Sequence, residues 1–235
     1  MHLAAGTLRL QDLQRAIANS WEEFGRAEGY ILSGLMPWEK ALYDRFLKPA
    51  DRILVVGCGT GRDLIALLKL GYRVEGLDVP PRTIAVVRQV LAKESLSAEL
   101  YTAPIETVAL PGRYDVFIFS WFCYGYIPQA DIRIGGLRKL KPHLNPGGRI
   151  LISYLPAERP PHVLAVRLTR LVARLTGSDW QPQLGDVVGP PGGQRACIHY
   201  EHQFVDGEFE SEARAAGLRV VFHERRDEGT AVLMA

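Results

Sequence analysis

The stretch VVGCGTGRD, residues 55–63, follows a short apolar run and precedes a segment with helical spacing. Glycines at positions 57, 59 and 61 let the chain turn tightly and let a ligand approach the backbone. The helix that follows would point free N–H groups at such a ligand. A strand-to-helix turn without a ligand is the alternative interpretation. The third glycine comes too early for a G-x-G-x-x-G dinucleotide site, and the G-K-[ST] of a P-loop is missing.

Asp78 ends the stretch YRVEGLD, which is predicted to form the second strand. An acidic side chain at this strand tip can accept hydrogen bonds from both ribose hydroxyls of a nucleoside. Pro80 and Pro81 follow and open a predicted helix, so Asp78 also suits a helix cap. Because Asp78 accompanies the glycine loop, we favour ligand binding.

Strand and helix patterns alternate outward from this loop over residues 52–155. The alternation predicts one α/β domain with a doubly wound, mostly parallel sheet and helices on both faces. Residues 1–48 are predicted to form a helical N-terminal cap, and residues 156–194 a helical insertion after the fifth strand. The end of the chain is predicted to form a helix over 206–216, followed by an antiparallel hairpin that turns near 226–229.

Three further stretches accompany the glycine loop and Asp78: GLDVPPRTI (76–84), YDVFIFSWF (114–122) and LKPHLNPGGRILIS (140–153). Together these motifs resemble the class I S-adenosylmethionine-dependent methyltransferases. The resemblance implies a Rossmann-like, seven-stranded sheet that ends in an antiparallel hairpin. It also implies that the cofactor is S-adenosylmethionine and that the chain is an enzyme, a methyltransferase.

The resemblance further implies which residues contact the cofactor. The glycine loop would face the methionine and ribose groups, and Asp78 would bind the ribose hydroxyls. Val79 and Ile105 would contact the adenine, while Ser120 and Trp121 would lie beside the methionine and the reacting methyl. The full set is Gly57, Cys58, Gly59, Gly61, Asp78, Val79, Ile105, Ser120 and Trp121.

Two positions depart from the family pattern. Val55 stands where the family often has an acidic residue, two positions before the first glycine. Ala103 lies near the position where an aspartate often follows the third strand, and the next acid here is Glu106. Both departures remove hydrogen-bond acceptors, so we expect a weaker hold on the cofactor.

Aromatic residues follow the predicted fourth strand in SWFCYGYIP, residues 120–128. Ligands in open α/β sheets bind beyond the carboxyl ends of the strands, which is where this cluster falls. Strand alternation predicts that Trp121 and Cys123 point one way, and Phe122 and Tyr124 the other. We expect either Tyr124 or its neighbour Tyr126 to line the substrate site.

The candidate catalytic residues are His199, His202 and Tyr124. A histidine near neutral pH can take a proton from an amine or a hydroxyl, although structural roles are the alternative. The two histidines lie three residues apart on a predicted strand and therefore on opposite faces, which argues against a shared metal site. Two aromatic residues of the N-terminal cap, Tyr30 and Trp38, are candidates for a lid or for the core.

The predicted helix of the insertion, HVLAVRLTRLVARLTG, is amphipathic in an unusual way. Arg167, Arg170 and Arg174 share one face, and a leucine stripe forms another. One interpretation is a lid that rests on the domain. A second is surface contact by residues 163–176 with an anionic membrane and a lipid-like substrate. A homodimer interface is the third.

Composition limits the remaining possibilities. The chain has 235 residues, 47% of them hydrophobic, and a formal net charge of +2, which does not favour nucleic-acid binding. No signal peptide or span of about 18 apolar residues stands out, so we expect a cytoplasmic protein without stable membrane insertion. Cys58, Cys123 and Cys197 form no C-x-x-C pair, which favours a reducing compartment over disulfides or zinc.

Four functions remain for the structure to separate. The favoured one is methyl transfer to the oxygen, nitrogen or carbon of a small-molecule substrate. A nucleic-acid or protein methyltransferase is less favoured, because SWFC replaces the [DNS]-P-P-[YF] motif of amino-base methylation. A non-catalytic S-adenosylmethionine-binding module and a nicotinamide-dependent oxidoreductase are the others.

Overall fold

The structure is a computed structural model that describes residues 3–23, 28–158, 160, 162–189 and 198–235. Within these ranges the chain forms nine β-strands and eight α-helices. The strands are β1 Arg52–Val56, β2 Arg73–Asp78, β3 Leu100–Thr102, β4 Tyr114–Phe119, β5 Leu144–Pro156, β6 Asp186–Gly189, β7 His199–Phe204, β8 Arg219–Arg225 and β9 Gly229–Met234. The helices are α1 Leu10–Glu23, α2 Glu28–Ile31, α3 Pro37–Phe46, α4 Arg62–Lys69, α5 Pro81–Lys93, α6 Ala130–Leu140, α7 Val163–Leu175 and α8 Glu208–Ala215.

The main sheet has the order β3-β2-β1-β4-β5, and these five strands are all parallel. Strand β9 continues the sheet antiparallel to β5, and β8 pairs antiparallel with β9. The predicted doubly wound α/β fold and its terminal hairpin are therefore confirmed. Every residue of β1 after Arg52 is buried, as expected of a strand covered by helices on both sides.

The sheet has two more strands than the seven that the resemblance implies. Strand β5 is 13 residues long, and its last two residues, Leu155 and Pro156, pair in parallel with Gln203 and Phe204 of β7. Strand β6 then pairs antiparallel with β7. The extra length of β5 thus carries a two-stranded ribbon that links the insertion to the domain.

Alternate side chains of β1 supply the two hydrophobic cores. Leu54 and Val56 face a core that includes α6 and α8, whereas Ile53 and Val55 face a core that includes α3, α4 and α5. The buried end of β1 leads through the glycine loop, residues 57–61, into the first turn of α4.

A third, smaller core joins the N-terminal segment to the insertion and β7. It contains Leu13 of α1, Trp180 of the insertion and Tyr200 of β7, each 1% exposed or less. The N-terminal segment and the insertion therefore fold together against the ribbon. Helix α7 does not lie alone as a lid, because it packs on the 3₁₀ turn Leu3–Thr7.

Three sequence features lie outside the described residues: Gly25, Cys197 and the Pro/Gly-rich end of the insertion at 190–194. Within the described ranges, every helix falls short of the length and apolarity that crossing a bilayer requires.

Candidate active site

The loop after β1 adopts backbone conformations that favour glycine. The φ angle is +68° at Gly57 and +53° at Gly59. A Cβ atom at position 57 would lie only 2.6 Å from the Cβ of Cys123, whereas one at position 59 would meet nothing within 4 Å. Gly57 therefore allows close packing beneath the loop, and Gly59 leaves open space beside it.

Asp78 reaches from the tip of β2 to this loop. Its Oδ2 accepts a hydrogen bond of 2.6 Å from the backbone N–H of Gly59, and its Oδ1 accepts one of 2.7 Å from the N–H of Val79. Burial raises the pKa of Asp78, while the two N–H donors oppose that rise. Each carboxylate oxygen keeps a second lone pair, so the side chain can still accept hydrogen bonds from ligand hydroxyls.

A cavity of about 300 Å³ lies at the carboxyl ends of β1, β2 and β4. Ligands of doubly wound sheets bind at this edge, and pockets for small ligands start at about this volume. All the residues expected to contact the cofactor line the cavity, apart from one glycine. The lining members are Gly57, Cys58, Gly59, Asp78, Val79, Ile105, Ser120 and Trp121.

Gly61 is the exception, and its position has a different physical reason. It does not line the cavity, and its φ angle is +96°. A Cβ atom there would lie 3.1 Å from Cγ1 of Val87 on α5. The third glycine therefore lets the start of α4 pack closely against α5.

A buried ionic cluster of Glu39, Arg62 and Asp63 lies beside the loop. Nη1 of Arg62 donates a 2.7 Å hydrogen bond to Oε2 of Glu39, and Nη2 donates to Oε1 of the same carboxylate. Nη2 also lies 2.6 Å from Oδ1 of Asp63, although that oxygen has no hydrogen bond of good geometry. Arg62 and Asp63 line the cavity, while Glu39 supports them from behind.

The cluster holds two carboxylates against one guanidinium. Burial raises the pKa of Glu39 to about 7, because the hydrogen bonds from Arg62 offset only part of the desolvation. Burial also raises the pKa of Asp63, although Arg62 and the hydroxyls of Ser120 and Tyr43 oppose that rise. With both carboxylates ionised, this part of the wall carries one negative charge in excess.

The chain leaves β4 through two residues with left-handed backbone conformations. The φ angle is +40° at Trp121 and +60° at Phe122, and such conformations cost about 1–3 kcal/mol each in residues other than glycine. The N–H of Phe122 donates to Oγ of Ser153 at 3.0 Å, and its ring stacks on that of Trp38 at 5.4 Å. These contacts hold the turn in place.

The turn sorts the aromatic cluster into two groups. Trp121 and Cys123 line the cavity, whereas Phe122 and Tyr124 do not. Strand alternation predicts the same division, but β4 ends at Phe119 and the turn produces it instead.

Helix α1 forms the opposite wall of the cavity through Gln14, Ile17, Ala18 and Trp21. The ring of Trp21 contacts that of Tyr126 at 4.8 Å, edge to face. The lining also includes Tyr30, whose ring lies 6.4 Å from that of Trp121. Four aromatic side chains, Trp21, Tyr30, Trp121 and Tyr126, thus line the cavity.

Tyr124, a candidate catalytic residue, lies in the hydrophobic core. Its side chain is fully buried, and its hydroxyl donates a 2.7 Å hydrogen bond to Oε2 of Glu212 on α8. Burial raises its pKa far above the usual value. The structure therefore gives Tyr124 a packing role and places Tyr126, the alternative, in the cavity wall.

Neither candidate histidine lines the cavity, and the two lie on opposite faces of β7 as their spacing predicts, with the ring of His199 6.0 Å from that of Tyr126. His199 is partly exposed and pairs with Glu201 at 3.2 Å. His202 is fully buried and bonds Asp186 at 2.7 Å and Glu208 at 2.9 Å. Burial lowers the pKa of His202, but these two carboxylates outweigh it and raise the pKa overall. This geometry favours structural roles for both histidines.

Sequence reasoning missed the ionic cluster and the wall formed by α1. Arg62 and Asp63 directly follow the glycine loop, so their charges at the start of a buried helix were a usable signal. For Trp21 the sequence offered none, because its contact with Tyr126 joins distant parts of the chain. Among the residues that the structure describes, no group of histidines, cysteines and acids has an arrangement suited to a metal ion.

The family model described as a methyltransferase domain matches residues 53–148. This range contains the glycine loop, Asp78 and the turn after β4. Residues 53–148 thus match a methyltransferase domain, and the fold around them is that of S-adenosylmethionine-dependent methyltransferases.

Two curated relatives are methyltransferases named for different acceptors. The chain is 31% identical over 161 residues to ribosomal protein L11 methyltransferase of Geobacter metallireducens, which covers 63% of this chain and 51% of the relative. It is 28% identical over 133 residues to ubiquinone biosynthesis O-methyltransferase of Xanthomonas campestris pv. campestris, covering 56% and 54%. The chain thus spans about half the length of the curated relatives it matches.

A solved methyltransferase structure has the same fold over most of the chain. The glycopeptide N-methyltransferase MtfA, complexed with S-adenosyl-L-methionine, matches with a TM-score of 0.60 and 18% identity. The match covers 84% of this chain and 86% of MtfA. At this identity the likeness concerns the fold, and the acceptor needs a separate argument.

Proposed function

We propose that this protein transfers the methyl group of S-adenosylmethionine to a small-molecule acceptor. One observation carries the proposal: the glycine loop, Asp78 and a group of aromatic side chains line the same cavity. A cofactor bound along the loop would direct its methyl group toward these rings.

The residues around the glycine loop and Asp78 fit the cofactor. The carboxylate of Asp78 has lone pairs left for the ribose hydroxyls, and the space beside Gly59 admits a ligand against the backbone. Val79 is 48% exposed and Ile105 lines the same cavity, so both offer apolar contact to the adenine. The bound cofactor supplies an activated methyl group on a sulfonium.

The ionic cluster suits the charged methionine end of the cofactor. Val55 stands at the position where the family often has an acidic residue. Asp63 instead lines the cavity, and its Oδ1 lacks a well-formed hydrogen bond. An ammonium group beside Asp63 would favour the ionised forms of Asp63 and Glu39, and the cluster would then carry one negative charge in excess of Arg62. Asp63 thus takes over the role of the missing acid.

The aromatic part of the cavity aligns the acceptor and excludes water from it. Its aromatic surface comes from Trp21, Tyr30, Trp121 and Tyr126. Methyl transfer is an in-line displacement whose leaving group is already activated, so alignment and the exclusion of water are the main contributions a protein makes. Among the described residues the cavity wall includes no histidine, and burial raises the pKa of Tyr126, which makes it a poor base. The proposed chemistry therefore suits a nucleophile that reaches the site without its proton.

The modest volume of the cavity, about 300 Å³, favours a small acceptor. Helix α1 lies across from the glycine loop, so only a group that fits between them reaches the methyl. The similarity to ribosomal protein L11 methyltransferase supports a second candidate, a protein side chain as acceptor. The two candidates differ in whether a small molecule or a protein side chain must pass α1 to reach the cavity.

Calorimetry with S-adenosylmethionine, S-adenosylhomocysteine and NAD tests the cofactor assignment. We expect both adenosyl compounds to bind and NAD to give no heat. Binding of NAD alone would contradict the proposal. Transfer of labelled methyl from the cofactor to a panel of small molecules and intact ribosomal proteins then tests the acceptor class. Label only on protein would favour the second candidate, and binding without transfer to any acceptor would favour a non-catalytic module.

A further inference from the structure

Helix α7 carries a line of exposed leucines on its outward side. The exposed fractions are 70% for Leu164, 43% for Leu168, 52% for Leu171 and 79% for Leu175. Since successive residues of an α-helix turn by about 100°, these four side chains fall within an arc of about 60°. They therefore form one continuous apolar ridge, which we call the leucine ridge.

The ridge points directly away from the protein. The buried residues of α7 are Val166, Thr169 and Ala173, which lie on the opposite side of the helix. An amphipathic helix of a globular protein normally turns its apolar stripe toward the core and its polar face toward water. Helix α7 reverses this arrangement, and a contiguous exposed apolar patch marks an interaction site.

Positive charge runs along one flank of the ridge. Arg167, Arg170 and Arg174 lie about 100° around the helix from the leucines, and α7 contains no acidic residue. Arg167 and Arg174 are exposed, whereas Arg170 is half-buried and its Nε donates to the carbonyl of Pro182. Three cations on one helix stand out in a chain whose formal net charge is only +2. The surface that fits α7 therefore combines an apolar interior with a layer of negative charge.

The helix is fixed to the domain and cannot bury its leucines by rolling over. A Cβ atom at Gly6 would lie 2.5 Å from the carbonyl oxygen of Thr169, so the 3₁₀ turn and α7 approach closely. Oγ1 of Thr176 donates to the carbonyl of Gly6 at 3.1 Å, and Oγ of Ser178 donates to that of Leu8 at 2.5 Å. These contacts keep the leucine ridge exposed to solvent.

We propose that α7 docks this protein on the surface of an anionic phospholipid bilayer. The helix lies in the plane of the interface, with the leucine ridge in the outer acyl region and the arginines at the phosphates. Arginine side chains suit this position, because their apolar stems can lie along lipid while their charged ends stay at the headgroups.

Charge argues against a second copy of the chain as the occupant. If two α7 helices paired antiparallel about a two-fold axis through their ridges, both arginine rows would lie on the same side of the pair. No acidic residue of α7 would offset that repulsion. A bilayer with anionic headgroups supplies the missing charge along the whole helix.

Co-sedimentation of the full chain with lipid vesicles tests the proposal. The probes are vesicles of phosphatidylcholine alone and of phosphatidylcholine mixed with phosphatidylglycerol. We expect binding to the mixed vesicles that weakens as salt is added. The double variant Leu168→Gln/Leu171→Gln should lower the partition coefficient about tenfold or more. Arg167→Gln/Arg174→Gln should lower it about tenfold or more on mixed vesicles only.

A matched control is Leu70→Gln, because Leu70 is 62% exposed but lies at the end of α4. This variant should bind like the parent, and thermal melts should show that all variants fold. Failure of the parent to bind mixed vesicles would overturn the proposal, as would an equal loss in the control. A dimer in sedimentation velocity that the leucine variant abolishes, without vesicle binding, would identify a second copy as the occupant instead.

Discussion

The backbone N–H of Gly59 donates a hydrogen bond of 2.6 Å to Oδ2 of Asp78, which ties the glycine loop to the tip of the neighbouring strand. The same carboxylate thus fixes the shape of the loop and keeps lone pairs for a ligand. Any substitution at Asp78 therefore acts on both.

Replacing Asp78 separates these two contributions. Asp78→Ala should weaken S-adenosylmethionine binding about 10- to 100-fold, since hydrogen bonds to a charged group contribute about 1.5–3 kcal/mol each. Asp78→Asn keeps one acceptor oxygen and should lose less. Calorimetry measures the affinities, and urea unfolding shows whether the loop still folds. Unchanged affinity in Asp78→Ala would rule out the ribose role.

Substitutions at the two glycines should affect different properties, stability at Gly57 and cofactor affinity at Gly59. Both positions have positive φ, so backbone strain affects both variants. Gly57→Ala should destabilise the protein by about 1–3 kcal/mol more than Gly59→Ala, because its Cβ would overlap Cys123. Gly59→Leu should instead lower cofactor affinity about tenfold or more at little further cost in stability, because its side chain fills the open space. Denaturant unfolding and calorimetry distinguish the two effects, and full affinity in Gly59→Leu would contradict the role of the loop.

The pKa of Glu39 predicts a pH dependence of stability. Native Glu39 keeps its proton up to about pH 7, whereas the unfolded chain releases it near pH 4.5. The native state therefore binds more protons in this interval, and the free energy of unfolding should fall as pH rises, by at most about 3 kcal/mol. Burial is the main cause of this raised pKa, the hydrogen bonds from Arg62 oppose it, and the charge of Asp63 adds to it.

Urea unfolding between about pH 5 and about pH 7 checks this expectation. Glu39→Gln cannot titrate and should flatten the slope, while Glu99→Gln, on an exposed site, should leave it unchanged. A parent protein whose stability rises over this range would show that Glu39 is ionised in the native state.

Much of the framework was predictable because it depends on local patterns. The glycine loop, the acid at the next strand tip and the buried strand over 114–119 each have a period or a turn signal. Strand alternation predicts how the aromatic residues after β4 divide but not which group lines the cavity, since that depends on two strained residues that no sequence pattern indicates. The ribbon was missed because β6 has only four residues, Asp186–Gly189, within a segment rich in turns.

The two tyrosines after β4 should separate packing from binding. Tyr124→Phe removes the donor to Glu212 and should destabilise the protein by about 1–3 kcal/mol, because it leaves a buried carboxylate oxygen without that partner. Tyr126→Phe should change stability by less than about 0.5 kcal/mol. Tyr126→Ala should alter how acceptors bind, because its ring contacts Trp21 across the cavity. Thermal melts of the two phenylalanine variants make the comparison, and equal losses would place Tyr126 in the core as well.

Helix α1 is held in place by the segment that follows α7: the N–H of Leu10 donates to Oδ1 of Asp179 at 2.8 Å. The nucleotide half of the pocket, by contrast, is built on the central strands. Evolution could therefore remodel the entrance by altering the chain's beginning and its insertion, while the machinery that holds the methyl donor is inherited intact. A chimera that exchanges these two segments together, and not either one alone, is the natural way to transplant selectivity between such enzymes.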